Sequence, residues 1–139
     1  NLRAAAPDLG QLLSAYLDSN PLRADVVVPV PLHPRRERER GYNQAELLAR
    51  ELSKRTGLPL ANRAIRRLRN TPPQVSLRCY DARARAMRDA FECQPDVGGQ
   101  RVLLVDDVVT SGSTMSACAA ALKAAGARSV WGLALARQA

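Results

Sequence analysis

The stretch from Val102 to Thr114, VLLVDDVVTSGST, constrains this chain more than any other. Four apolar residues precede two adjacent carboxylates, Asp106 and Asp107. Two valines and a run of small or hydroxylated residues follow: Thr110, Ser111, Gly112, Ser113 and Thr114. The apolar run, taken with Arg101, predicts a buried parallel strand over 101–105. In open α/β sheets ligands bind at the carboxyl ends of such strands, where the two acids stand. Gly112 permits a tight turn and close backbone approach. The loop amides, with the N-terminus of a following helix over 114–125, face an anion. Carboxylates accept hydrogen bonds from sugar hydroxyls and amides donate to phosphate, so the pattern suits a ribose 5-phosphate. Helix capping alone would account for Ser113 or Thr114. It does not account for two acids beside five such residues. VLLVDD is similar to a Walker B strand, but the chain has no GxxxxGK[ST] and no GxGxxG. A P-loop NTPase and a dinucleotide-binding site are therefore excluded.

The remaining segments predict what surrounds this strand. Leu9, Leu12, Leu13, Tyr16 and Leu17 form one stripe of a helix over 8–18. DVVVPV, residues 25–30, reads as a second buried strand. A polar loop over 31–41 follows, then a helix over 43–55. That helix has Ala45, Leu48, Ala49 and Leu52 on one face, i,i+4 pairs Glu46/Arg50 and Glu51/Arg55, and Gly57 as its stop. A short strand over 64–68, a charge-dominated helix over 76–89, a turn over 96–100 and a last strand over 129–136 complete the pattern. The final strand–helix–strand is a βαβ unit. The expected fold is α/β, a central mainly parallel sheet flanked by helices on both faces. The 139 residues fit one domain.

Charge adds a second constraint. The formal net charge is +8. Residues 35–88 carry 14 Arg and Lys54 against Glu37, Glu39, Glu46, Glu51 and Asp81, a net of +10, which leaves the rest at −2. Arginine's planar fork suits phosphate, so this region attracts nucleic acid, a polyphosphate or a phosphorylated metabolite. Aromatics are only 4%, which argues against a surface that stacks many bases. No apolar run approaches the roughly 20 residues of a bilayer span. Cys79, Cys93 and Cys118 form no CxxC pair, and His33 is the one histidine. A zinc site within the chain is not expected, and a reducing, cytoplasmic setting is.

Residues 102–114 resemble the phosphoribosyl pyrophosphate (PRPP) motif of type I phosphoribosyltransferases. The resemblance implies that fold. It also implies a ribose-5-phosphate site of Asp106, Asp107, Val109, Thr110, Ser111, Gly112, Ser113 and Thr114, with Asp106 and Asp107 as catalytic residues and candidate Mg²⁺ ligands. Residues 28–49, VPVPLHPRRERERGYNQAELLA, are similar to the ComF group, associated with competence and DNA uptake. The shared pattern is Pro31, Leu32, His33, Pro34, then Arg36, Arg40, Gly41, Tyr42, Asn43, Gln44 and Ala45. It implies a pyrophosphate site at Pro31, Leu32, His33, Arg36 and Arg40. Arg69, Thr71, Gln74, Leu77, Arg83 and Phe91 fit the ComF stretch at the flexible catalytic loop. Ala86 and Asp89 depart from the Asn and Gly common there.

The implied activity is transfer of phosphoribose from Mg-PRPP to an acceptor the sequence does not name. The alternative is a non-catalytic PRPP-sensing or single-stranded-DNA-handling module that works with competence-machinery proteins. A homo-oligomer is compatible with either. ComF proteins usually open with cysteine-rich zinc-binding sequence, which these residues lack, so the expectation is a single domain over 1–139.

Overall fold

The computed structural model describes residues 2–68, 90–94 and 97–138. The elements run α1 (Leu2–Ser19), β1 (Val26–Pro29), α2 (Pro34–Arg40), α3 (Gln44–Thr56), β2 (Ile65–Arg67), β3 (Phe91–Cys93), β4 (Arg101–Val109), α4 (Ser113–Ala124) and β5 (Ser129–Arg137). The main sheet has the order β1-β4-β5 and both pairings are parallel. Val26 sits opposite Val102 and Pro29 opposite Val105, while β5 follows β4 from Arg101↔Ser129 to Val109↔Arg137. On the far side of β1, Val27 N–H donates to Pro59 O and Ala61 N–H to Val27 O, both at 2.9 Å. A separate antiparallel pair joins β2 to β3.

The strand side chains alternate between two cores, as the pleat requires. Val27, Leu103, Val105 and Leu133 pack with Leu13 of α1 and with Leu48, Ala49 and Leu52 of α3. Val26, Val28, Val102 and Leu104 pack on the other face with Ala117, Cys118 and Leu122 of α4 and with Ile65 and Phe91 of the β2–β3 pair. Helices therefore cover both faces, as expected. The starts of β1 and β4 are locked by a fork: Arg101 Nε donates to Asp25 Oδ2 and Nη2 to Oδ1, each at 3.1 Å. Arg101 N–H adds a bond to Oδ2 at 2.8 Å.

Four expectations change. Residues 31–41 are not all loop, because α2 occupies Pro34–Arg40 without burying a residue. It is held by local capping: His33 Nδ1 accepts from Arg35 N–H at 3.1 Å, proline stands at the first helical position, and Gly41 closes the end at φ 88°. Second, the strand expected to stop at Val105 runs on to Val109, because β5 keeps pairing with it. Third, the α1 stripe splits. Leu9, Leu13 and Leu17 form the i,i+4 row against the core, and Leu12 and Tyr16 face outward. Fourth, Glu51 pairs with Lys54 rather than Arg55, whose guanidinium reaches across to Pro7 O at 3.1 Å. The helix expected over 76–89 lies outside the described residues. No described helix is long and apolar enough to cross a membrane.

Gly10 sets how closely α1 approaches α3. A Cβ at residue 10 would stand 2.5 Å from Glu51 Cβ. Helix propensity alone favours Gly10→Ala by about 0.5–1 kcal/mol. Overpacking costs about 1–3 kcal/mol and wins. Gly10→Ala is expected to lower the urea midpoint; a raised midpoint would show that α1 moves off α3 at no cost.

Candidate functional site

Two adjacent parallel strands end side by side and present their following segments at one edge of the sheet. β1 leads into residues 31–33 and α2, and β4 into residues 110–112 and α4. The ComF-like segment and the carboxylate–hydroxyl motif thus meet where the sequence places a ligand.

Asp106 and Asp107 lie within β4, both half-buried. Asp107 N–H donates to Asp106 Oδ1 at 2.8 Å. Burial, the side-chain hydrogen bond with Asp107 and that neighbour's charge push the Asp106 carboxyl up to about 7, against the opposing pull of the Asp107 amide. Near neutral pH the Asp106 carboxyl is thus shared between its protonated and ionised forms, a perturbation of the kind that gathers at functional sites.

Beyond Val109, Gly112 takes the N-cap position of α4 at φ 85° and supplies no side-chain cap. Ser111 Oγ sits 2.8 Å from Ser113 Oγ and accepts from Ser113 N–H at 3.3 Å. Ser116 N–H bonds back to Gly112 O at 2.8 Å. The Thr114 and Met115 amides have no acceptor among the described residues. The helix end is therefore an open set of donors flanked by the hydroxyls of Thr110, Ser111, Ser113 and Thr114. The capping account of Ser113 and Thr114 fails, because neither is the cap. Gly132 of β5 adds support from below: a Cβ there would collide with the Met115 side chain, so the bare backbone seats the first turn of α4.

The R-G-Y-N-Q-A segment is mostly scaffolding. Arg40 donates to Gln44 Oε1. Arg3 of α1 lies over the Tyr42 ring at 4.6 Å and donates to Gly41 O at 3.1 Å. Asn43 caps α3 through Ala45 N–H at 3.0 Å, and its amide donates to Val30 O at 3.2 Å, closing the excursion 31–42 at its base. Pro31, Leu32 and His33 are half-buried, with the His33 ring engaged as the α2 cap. Arg36 is exposed.

Sequence reasoning missed Arg67. It stands at the end of β2 with its guanidinium 5.5 Å from the Phe91 ring centroid. Burial and the positive charge of Arg36 hold it below its ordinary value, while Cys118 pulls the other way. Cys118 in turn feels Asp106, and burial chiefly keeps its thiol protonated, well above the ordinary range. Arg67 thus lies within electrostatic reach of Arg36 and Cys118, and Cys118 within reach of Asp106, a tertiary fact that no local spacing announces. Arg69, Thr71, Gln74 and Arg83 lie outside the described residues. The ends of that segment are held together where Leu68 N–H donates to Ala90 O at 2.6 Å.

A parallel sheet with this carboxylate pair and open helix end at its edge has known counterparts. The phosphoribosyl transferase domain family matches residues 39–138, and the chain belongs to that family. Within it the chain is of the ComF type. It is 38% identical over 115 residues to Competence protein F of Haemophilus influenzae, covering 79% of this chain and 50% of that one. It is 39% identical over 106 residues to DNA utilization protein YhgH of Escherichia coli K12, covering 76% and 46%. The chain spans about half the length of these relatives. Among solved structures, glutamine PRPP amidotransferase of B. subtilis superposes at TM-score 0.67 with 23% identity, over 97% of this chain and 27% of that one. Adenine phosphoribosyltransferase of Saccharomyces cerevisiae does so at 0.59 with 16% identity, over 94% and 68%. These likenesses establish the fold.

The raised Asp106 carboxyl predicts a pH-dependent stability. Its folded-state value lies above the 3.8 of an ordinary aspartate, so the fold favours the proton and ionisation costs stability. That cost is absent below the ordinary value, grows as pH rises and is complete above the folded value. Asp106→Asn is expected to exceed the parent by about 1–2 kcal/mol at pH 8, with the difference vanishing near pH 4. Urea titrations across that range measure it; a pH-independent difference would refute the burial of this carboxyl.

Proposed function

We propose that the chain binds PRPP at the β1–β4 edge and transfers its phosphoribosyl group to an acceptor, releasing pyrophosphate. The observation that carries this reading is the pair Asp106–Asp107 beside the open N-terminus of α4. In the proposed complex the carboxylates accept the ribose 2- and 3-hydroxyls. The amides and hydroxyls of residues 110–114 take the 5-phosphate. Arg36, Arg40 and the backbone N–H groups of Leu32 and His33 face the pyrophosphate, Pro31 shapes the loop that carries them, and Arg67 adds positive charge near Arg36. The acceptor's lone pair forms a bond to C1 as the C1–O bond to pyrophosphate breaks, and the leaving group takes that electron pair. Positioning and charge stabilisation supply the rate, and no covalent enzyme intermediate is required.

The donor set fits Mg²⁺ as a guest of the substrate. Among the described residues no three His, Cys, Asp or Glu side chains cluster into a metal cage. Two carboxylates suit a hard cation that keeps water and phosphate oxygens. Asp106 and Asp107 would hold it, and its charge would offset that of the pyrophosphate. Its charge would also favour the ionised form of the Asp106 carboxyl, which burial disfavours.

Isothermal titration with Mg-PRPP tests the reading, and phosphorus NMR with purine, pyrimidine and amine acceptors tests turnover. Each hydrogen bond to a charged acceptor contributes about 1.5–3 kcal/mol, so Asp106→Asn with Asp107→Asn is expected to weaken binding by about 100-fold or more. Absence of binding at millimolar Mg-PRPP would sink the proposal.

A second reading is a DNA-handling module, non-catalytic or additional to the PRPP site. It is favoured by the exposed Arg36 and Arg38 of α2 and by a relative named a DNA utilization protein. Single-stranded DNA affinity should then fall steeply between 50 and 300 mM salt. Equal affinity at both would count against arginine–phosphate contact.

A further inference from the structure

The sheet has one long open edge. β5 is the outer strand of β1-β4-β5, nine residues long, and its backbone bonds run only toward β4 among the described residues. From Ser129 to Ala136 it contains no charge and no proline, the devices by which edge strands usually repel another strand.

Beside that edge lies a groove of about 1100 Å³ between β5 and α1. Its apolar lining is open to solvent: Leu12 is 60% exposed, Tyr16 55% and Trp131 55%, with Leu133 buried at the floor. The outward half of the α1 stripe, which the fold does not use, forms one wall. The lining includes two charged residues, Arg23 and Arg101, and no carboxylate. Arg101 is closed on Asp25, whereas Arg23 is exposed and forms no ion pair among the described residues. A helix and a free strand edge flanking an apolar groove is the geometry in which extended peptides add to a sheet.

We propose that this groove docks an extended peptide segment of a partner protein, which adds as a strand to β5. Its apolar side chains at alternate positions would lie against Leu12, Tyr16 and Trp131, and a carboxylate would face Arg23. Charge selects this occupant over a second copy of the chain. A copy paired antiparallel along β5 would set Arg128 and Arg137 of one chain against Arg137 and Arg128 of the other, beside both Arg23 side chains.

Trp131 is the one tryptophan, so its emission reports directly on the groove. A phage-displayed random dodecapeptide library is selected against the intact chain, and the leading peptide is synthesised. The expected sequences alternate apolar residues and include Asp or Glu. The synthetic peptide should shift Trp131 emission to the blue. Its affinity should fall by about tenfold or more with Leu12→Glu, and likewise when alternate peptide amides are N-methylated. Leu12 is exposed, so that variant leaves the fold intact, which urea titration checks. No enrichment over an unrelated protein would overturn the proposal. So would peptides that leave Trp131 unmoved, bind Leu12→Glu as tightly or tolerate N-methylation. Concentration-dependent dimerisation abolished by Trp131→Glu would assign the face to a second copy and overturn it equally.

Discussion

Everything in this molecule is registered against β4. It is hydrogen-bonded along both edges, and Val102, Leu103, Leu104 and Val105 are fully buried between the two cores. A strand held this way cannot slip by one residue without turning its apolar set to the wrong face. Asp106 and Asp107 extend from that fixed rod, so their position is set by the two cores. The same register fixes where β1 releases the chain into residues 31–33. The two halves of the candidate site are therefore placed by one set of backbone pairings.

The carboxylates occupy an uncomfortable position. Burial raises Asp106, and the fold accepts a cost whenever that carboxyl ionises. A purely structural role would be served by asparagine, which keeps an acceptor for the Asp107 amide without the charge. The open amides at the start of α4 are the complementary oddity, donors left without a cap. A carboxyl pair and open amides a few residues apart suit the proposed ligand, which carries both kinds of group.

Much of this was legible in the sequence, for a physical reason. A strand covered on both faces writes itself as a continuous apolar run, and α3 writes itself as Ala45, Leu48, Ala49 and Leu52 at helical spacing. α2 escaped because it buries nothing: its signals are His33, Pro34 and Gly41, caps without an amphipathic stripe between them. The α1 stripe reads as one face in sequence, but packing on α3 through Gly10 uses only the Leu9–Leu13–Leu17 row. The length of β4 beyond Val105 depends on how far β5 accompanies it, and Arg67 matters through a guanidinium on another element. Both are long-range facts that a local window does not contain.

The pairing of β2 with β3 has a consequence for how the polypeptide is divided. Leu68 and Ala90, the residues that flank 69–89, are joined across the pair. The pairing of β2 with β3 thus bears the entropic cost of bringing residues 68 and 90 together. A cut between residues 68 and 90 would leave one piece carrying α1, β1, α2, α3 and β2 and another carrying β3, β4, α4 and β5. These two pieces share both cores and a strand pair on each side. The fold is in this sense a two-part case, whose halves meet across both cores and both sheets.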